Sequence, residues 1–183
     1  MFIKNNGSLD GKITNIKAES TSVGAEDFAE QALVTVAVFE SDGVAVNADL
    51  AREINEAADT LFRITINSWF SSVREGARNL QGLEAEIRRA ALDFTYEIDE
   101  EGNSVRVTDV FVDTLDQLMD VNGYDIEGNK QIKLKSDETM HLGFTVTLLN
   151  DQMDGVDFKN NDIKNIQPEF KFITTFEQDR NNP

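Results

Sequence analysis

The chain contains no cysteine. That absence excludes disulfides, cysteine-based zinc sites and cysteine nucleophiles together. It does not fix a compartment, because many secreted proteins lack the residue. Histidine occurs once, as His141. A His-Glu-x-x-His zinc-protease pair therefore cannot be built. A Ser-His-Asp triad would have to use His141, which lies inside a strand-like run, and no Gly-x-Ser-x-Gly elbow accompanies it. There is no phosphate-binding glycine-rich loop. Basic residues number 17 against 34 acidic ones, for a formal charge of −17. Such a surface repels nucleic acid and anionic membrane and at low salt opposes self-association. No apolar run approaches the roughly 18 residues that span a bilayer. Lys4, Asn5 and Asn6 interrupt the opening, so no signal peptide is expected and the start reads as that of a mature or trimmed product.

What is present is a chain of 183 residues with a hydrophobic fraction of 40%, long enough to bury a real core as one domain over residues 1–183. The plainest pattern is in the last two strand-like runs. In Thr139–Leu149, Leu142, Phe144, Val146 and Leu148 alternate with Gly143, Thr145, Thr147 and Leu149. In Glu169–Gln178, Phe170 and Phe172 flank Lys171. This is the period of half-buried strands, read here as a strand pair joined by a polar loop. Pro168 stands at the start of the second run, where its missing N–H does least damage.

Earlier in the chain, Phe2–Lys4 is apolar and Asn5-Asn6-Gly7-Ser8 is a turn signal. Gly11–Thr21 is strand-like. Leu33–Phe39 is nearly continuous in apolar residues, as expected of a strand covered on both faces. Asp42-Gly43 marks a turn. Residues 47–92 change period and read as a helical insert. Asn47 can cap a first helix, and Asn67 or Ser68 a second that carries Trp69 and Phe70 inward. Gly82 breaks the register before a third helix with Arg88 and Arg89 outward. Trp69 and its neighbours read as a cap over the open side of a sheet.

Strand pattern returns at Phe94–Ile98, with a hairpin loop at Glu100–Asn103 and an answering strand at Ser104–Asp113. Thr114 can cap a short helix at Leu115–Met119. Turns at Gly123 and Glu127–Asn129 surround Tyr124–Ile126. About seven strands result, with the spacing of an antiparallel sandwich. Residues 179–183 read as a flexible tail. Among acidic clusters, Asp99, Glu100 and Glu101 and the loop Asp151–Asp157 could gather calcium through oxygens, although neither matches an EF-hand loop.

In order, four places resemble the TasA/camelysin family of secreted biofilm-matrix fibre proteins. They are Phe2-Ile3-Lys4-Asn5-Asn6-Gly7-Ser8-Leu9; Glu26-Asp27-Phe28 followed by Leu33–Phe39; Leu134–Thr139 followed by Leu142-Gly143-Phe144; and Phe158–Asp162 followed by Phe170–Gln178. The departures are Asn160-Asn161 where the family favours Gln-Gly, a long helical insert, and the missing signal peptide and N-terminal strand. The resemblance implies a mainly β, jelly-roll-like antiparallel β-sandwich with helices in its connections.

It also implies an extracellular fibre subunit, exported after removal of a signal peptide. Such subunits polymerise head to tail with their own kind by donor-strand complementation, with no cofactor, nucleic acid or membrane span. Phe2, Ile3, Phe170, Phe172 and Phe176 are then candidates to line or flank the acceptor groove, against the alternative that they are ordinary sandwich core. The competing functions are a camelysin-like secreted metallopeptidase and a non-enzymatic binding or capsid-like β-sandwich.

Overall fold

The computed structural model describes residues 1–41, 46–98, 103–120, 122–125, 132–150, 152–158, 163 and 165–178. The expected turns at Asp42-Gly43 and Glu127–Asn129, the hairpin-loop residues Glu100–Gly102, the stretch Asn160–Asp162 and the tail 179–183 lie outside the described residues.

The described strands are β1 (Phe2–Lys4), β2 (Gly11–Glu19), β3 (Ala32–Ser41), β4 (Thr95–Glu97), β5 (Ser104–Thr114), β6 (Tyr124–Asp125), β7 (Ile132–Leu134), β8 (Thr139–Leu148), β9 (Gln152–Met153), β10 (Val156–Asp157) and β11 (Lys171–Gln178). The helices are α1 (Ala25–Ala29), α2 (Ala48–Ser72), α3 (Leu80–Leu92) and α4 (Leu115–Met119). The protein is mainly antiparallel β-sheet. One sheet has five strands in the order β1-β8-β3-β5-β4. In a second sheet β2 pairs with β11 along one edge and with β6 and β7 along the other. The strands exceed the seven or so expected because several have only two residues, such as β6, β9 and β10.

β3 lies in the middle of the stack. Its even-numbered residues Val34, Val36 and Val38 meet Ile13, Ile16 and Ala18 of the second sheet, together with Phe111 and Leu142. Its odd-numbered Leu33, Ala37 and Phe39 meet Ile54, Ala58, Phe62 and Ile66 of α2, and Leu83 and Ile87 of α3. The order of layers is therefore helices, five-stranded sheet, smaller sheet. Strand alternation normally gives one wet face. Here neither face is wet, which is why the Leu33–Phe39 run shows no polar alternation beyond Thr35.

A bulge keeps β5 in phase with this arrangement. Val38 pairs with Asp109 but Phe39 pairs with Val107, so Thr108 is the extra residue. The added residue lets Val105, Val107, Val110 and Val112 all join the helix-side core, although the numbers change parity. Arg88 of α3 secures the bulge. Its guanidinium pairs with the Asp109 carboxylate and donates to the Val110 carbonyl at 2.7 Å. Arg88 was expected to point outward beside Arg89. Instead it turns back onto the sheet because the bulge presents a carboxylate and a carbonyl together.

The helical insert differs from its expected division. Asn47 caps α2 as anticipated, its side chain accepting from the Leu50 N–H at 2.9 Å. Asn67 and Ser68 start no second helix. They lie inside a single helix of 25 residues, whose stripe Ile54, Ala58, Phe62, Ile66 and Trp69 is continuous across them. Arg78 closes its far end, donating to the carbonyls of Val73 and Phe70 at 2.9 and 2.6 Å. Asn79 then caps α3, accepting from the Gly82 N–H at 2.7 Å, so Gly82 belongs to the first turn of that helix. Trp69 is buried between the helices and the sheet, edge-on to Phe70 at 5.1 Å. It covers the sheet, as its neighbours suggested.

α2 lies close on β8 at one point. A β-carbon on Gly143 would stand 2.4 Å from Asn55 Oδ1 and 2.7 Å from the Phe39 ring. Gly143→Ala is therefore expected to destabilise the fold by roughly 1–3 kcal/mol, read as a lower urea midpoint. Arg88→Ala leaves Asp109 half-buried without its cation and should cost about 1–3 kcal/mol by the same measurement. A change within error for Arg88→Ala would show that the bulge holds itself.

Candidate functional site

The runs 139–149 and 169–178 were expected to pair with one another. They do not. β8 belongs to the five-stranded sheet and β11 to the smaller one, where β11 pairs with β2 from Lys171↔Glu19 to Gln178↔Gly11. Alternation alone identifies strands but cannot choose between two partners of equal pattern. Both runs nevertheless end up on the same open side of the stack. Phe144 of β8 and Phe172 of β11 stack at 4.5 Å between ring centres, bridging the two sheets. Phe170 meets Phe28 at 5.7 Å.

β1 lies on the outer edge of β8, Phe2 opposite His141 and Lys4 opposite Thr139. The Met1 ammonium continues this ladder by donating to the Leu142 carbonyl at 2.6 Å, and the Leu142 N–H donates back to Met1 at 2.8 Å. The turn after β1 is locked by Asn5, whose amide donates to the carbonyls of Leu9 and Leu134 at 2.9 and 3.1 Å. Its oxygen accepts from the Gly7 N–H at 3.0 Å. Asn5 thus gives the Asn-x-Gly sequence a structural reason, tying the turn after the first strand to Leu134 at the end of β7.

Beyond Leu142 the outer edge of β8 meets no described strand. Among the described residues, no strand pairs with the outer side of Gly143–Leu148. Val146 is 36% and Leu148 39% exposed there, although their alternation suggested core. Beside this edge is a cleft of about 450 Å³, lined among others by Met1, Arg52, Asn55, Asp59, His141 and Val146. Asn55 Oδ1 is buried in it with no hydrogen-bond partner among the described residues.

Of the five aromatic and aliphatic candidates, Ile3, Phe170 and Phe172 are partly buried against the inter-sheet core. That packing is the ordinary core role weighed for them in the sequence. Phe2 pairs through its main chain. Phe176 is 37% exposed and its ring lies over Gly11, where a β-carbon would be only 2.0 Å from it. An aromatic ring there supplies the cover that the glycine lacks. Sequence reasoning missed Met1, Asn55, Val146 and Leu148 as edge residues. Only the shortness of β1 relative to β8 hinted at them.

Of the two acidic clusters, Asp99, Glu100 and Glu101 lie outside the described residues, as does Asp151. Asp154 is committed to α3, its carboxylate accepting from the Leu80 N–H at 2.8 Å. Among the described residues, no three His, Asp or Glu side chains converge as a metal site. No described helix is long and apolar enough to cross a membrane. Comparison with protein-family models, curated proteins and solved structures finds no match.

His141 is 4% exposed and packs on Phe39 at 5.4 Å. Burial, reinforced by the Met1 ammonium, lowers its pKa from 6.5 to about 4. The unfolded chain therefore takes up a proton that the folded chain refuses. The stabilisation is complete above the unfolded value of 6.5 and disappears as pH falls through about 4. The loss should reach about 3 kcal/mol at most. Urea titrations at neutral and mildly acid pH should show a shallower loss for His141→Gln than for the wild type. Equal losses would assign the acid sensitivity to the carboxylates instead.

Proposed function

We propose that the chain is a structural subunit of an extracellular protein fibre, a jelly-roll-like sandwich of the TasA/camelysin kind. In this reading a strand from one subunit completes the sheet of the next, and subunits polymerise head to tail. The observation that carries it is the open outer edge of β8 from Gly143 to Leu148, in line with β1 and flanked by exposed Val146 and Leu148. A long, apolar, unpaired edge is a template for an incoming strand. Main-chain hydrogen bonds would provide affinity, and alternate side chains would set register. A contact between two different surfaces of one subunit makes a filament wherever its rotation does not close into a ring. The four family-like sequence stretches support the same reading, which assigns no catalytic role to the chain. Phe172 serves such a site as packing between the sheets, so its replacement by a charge would test folding more than assembly.

The test is negative-stain electron microscopy of the purified protein at low and moderate salt. Filaments are expected, and more of them as salt screens the −17 charge of each subunit. Val146→Glu should suppress them while leaving the melting temperature within a few degrees, because the side chain is already partly exposed. Monodisperse particles at every salt concentration, both from this chain and from a version carrying an added N-terminal donor strand, would remove the fibre reading.

The cleft beside α2, with the unsatisfied Asn55 oxygen, favours a second reading as a small-molecule binding module. Saturable shifts of amide resonances around Asn55 and His141 on adding a polar ligand library would raise it above the first.

A further inference from the structure

The smaller sheet ends at β11, whose outer edge meets no described strand. Among the described residues β11 pairs only with β2. The irregularity in that ladder lies on the other strand: Thr175 pairs with Asn15 and Phe176 with Ile13, leaving Thr14 as the extra residue. β11 itself runs unbulged from Lys171 to Gln178, with no proline within it. Its inward row is Phe172, Thr174 and Phe176: Phe172 packs on the core, Thr174 reaches Met1, and Phe176 covers Gly11. No inward charge blunts this edge, as protected edge strands commonly arrange. Lys171 and Glu177, both exposed, stand near its two ends on the outward row.

We propose that a second copy of this chain pairs with this edge about a two-fold axis through Thr174, making the smaller sheet continuous across a dimer. The register follows from strand geometry. The hydrogen-bonding groups of every second residue point outward, and residues directly opposite in an antiparallel pair must match in that direction. Two copies of one edge can meet that condition only with the axis passing through a residue. An axis through Thr174 sets Lys171 opposite Glu177 of the second copy and Glu177 opposite its Lys171. It also sets Phe172 opposite Phe176, and Ile173 opposite Thr175. An axis through Ile173 would set Lys171 opposite Thr175. One through Thr175 would set Ile173 opposite Glu177 and Thr174 opposite Phe176. Only the Thr174 axis matches both opposite charges and both aromatic rings, and each such cross-strand pair is favourable. The contact is isologous and closes as a dimer. It can link two filaments side by side but cannot by itself extend one, and it does not rest on the fibre reading.

Sedimentation velocity tests the pairing at about 0.15 M salt, where repulsion between two acidic copies is largely screened. If filaments form, the measurement is made in the Val146→Glu background, so that a failure of β8 assembly and a failure of β11 pairing are read separately. The expected result is a concentration-dependent dimer. Lys171→Glu and Glu177→Lys, each turning two symmetric attractions into repulsions, should weaken it by about tenfold or more. The double variant Lys171→Glu with Glu177→Lys restores opposite charges and should recover the wild-type dissociation constant to within about threefold. Far-UV circular dichroism should be unchanged in all three, since both side chains are exposed. A wild type monomeric up to about 1 mM would overturn the proposal. So would single reversals without effect, or a double variant that stays as weak as the singles.

Discussion

Everything in this protein is arranged around a strand with no wet face. β3 is paired on both edges, by β5 and β8, and covered on both faces, by helices and by a second sheet. Its residues from Ala32 to Phe39 are buried without exception. Burying an apolar surface on two sides requires two different covers, and the chain supplies them from different places. α2 and α3 close one side, and β2 with its partners closes the other. The bulge at Thr108 follows from the same requirement, because it lets β5 direct valines at the helices along its whole length. Arg88 is the polar consequence: where the ladder is interrupted, a cation from the helix layer satisfies the exposed carbonyl and carboxylate.

Covering the middle leaves the margins exposed. β1 is short, so among the described residues the outer edge of β8 is paired for only part of its length. β11 closes the smaller sheet on one side and pairs with no other described strand. Both edges face the same open side of the stack, joined by the Phe144–Phe172 contact. The two differ in symmetry. In the readings proposed above, the edge of β8 would accept a strand from elsewhere and grow head to tail, whereas β11 would pair with its own copy and close. An acidic surface works against both at low ionic strength.

Much of the local structure was legible from residue patterns. Asn47 and Thr114 were read as helix caps, and each accepts from the N–H three residues on, as short-range chemistry requires. The hairpin of β4 and β5 and the double-sided burial of β3 were legible too, because both depend on neighbours in sequence or on a composition that admits no alternative. The readings that failed share one cause. Pairing β8 with β11, splitting α2 at Asn67, and turning Arg88 outward each required knowing what lies across a gap of many residues. The candidate site suffered most. Ile3, Phe170 and Phe172 were singled out because they are apolar and they pack on the inter-sheet core, but the edge of β8 was not visible, since an unpaired edge is defined by strands that do not reach it.

The sequence by itself determined where strands and helices form, which segment must be innermost, and that without cysteine there are no disulfides and no cysteine chemistry. Those follow from periodicity, capping and composition, all short-range. Only the tertiary structure decided which strand pairs with which, where the sheets end, and which edges remain open. Strand pairing is chosen by long-range packing among segments of similar pattern, and β8 and β11 carry nearly the same pattern. The layer that each one joins is fixed by the volume and reach of its neighbours, a property of the folded whole.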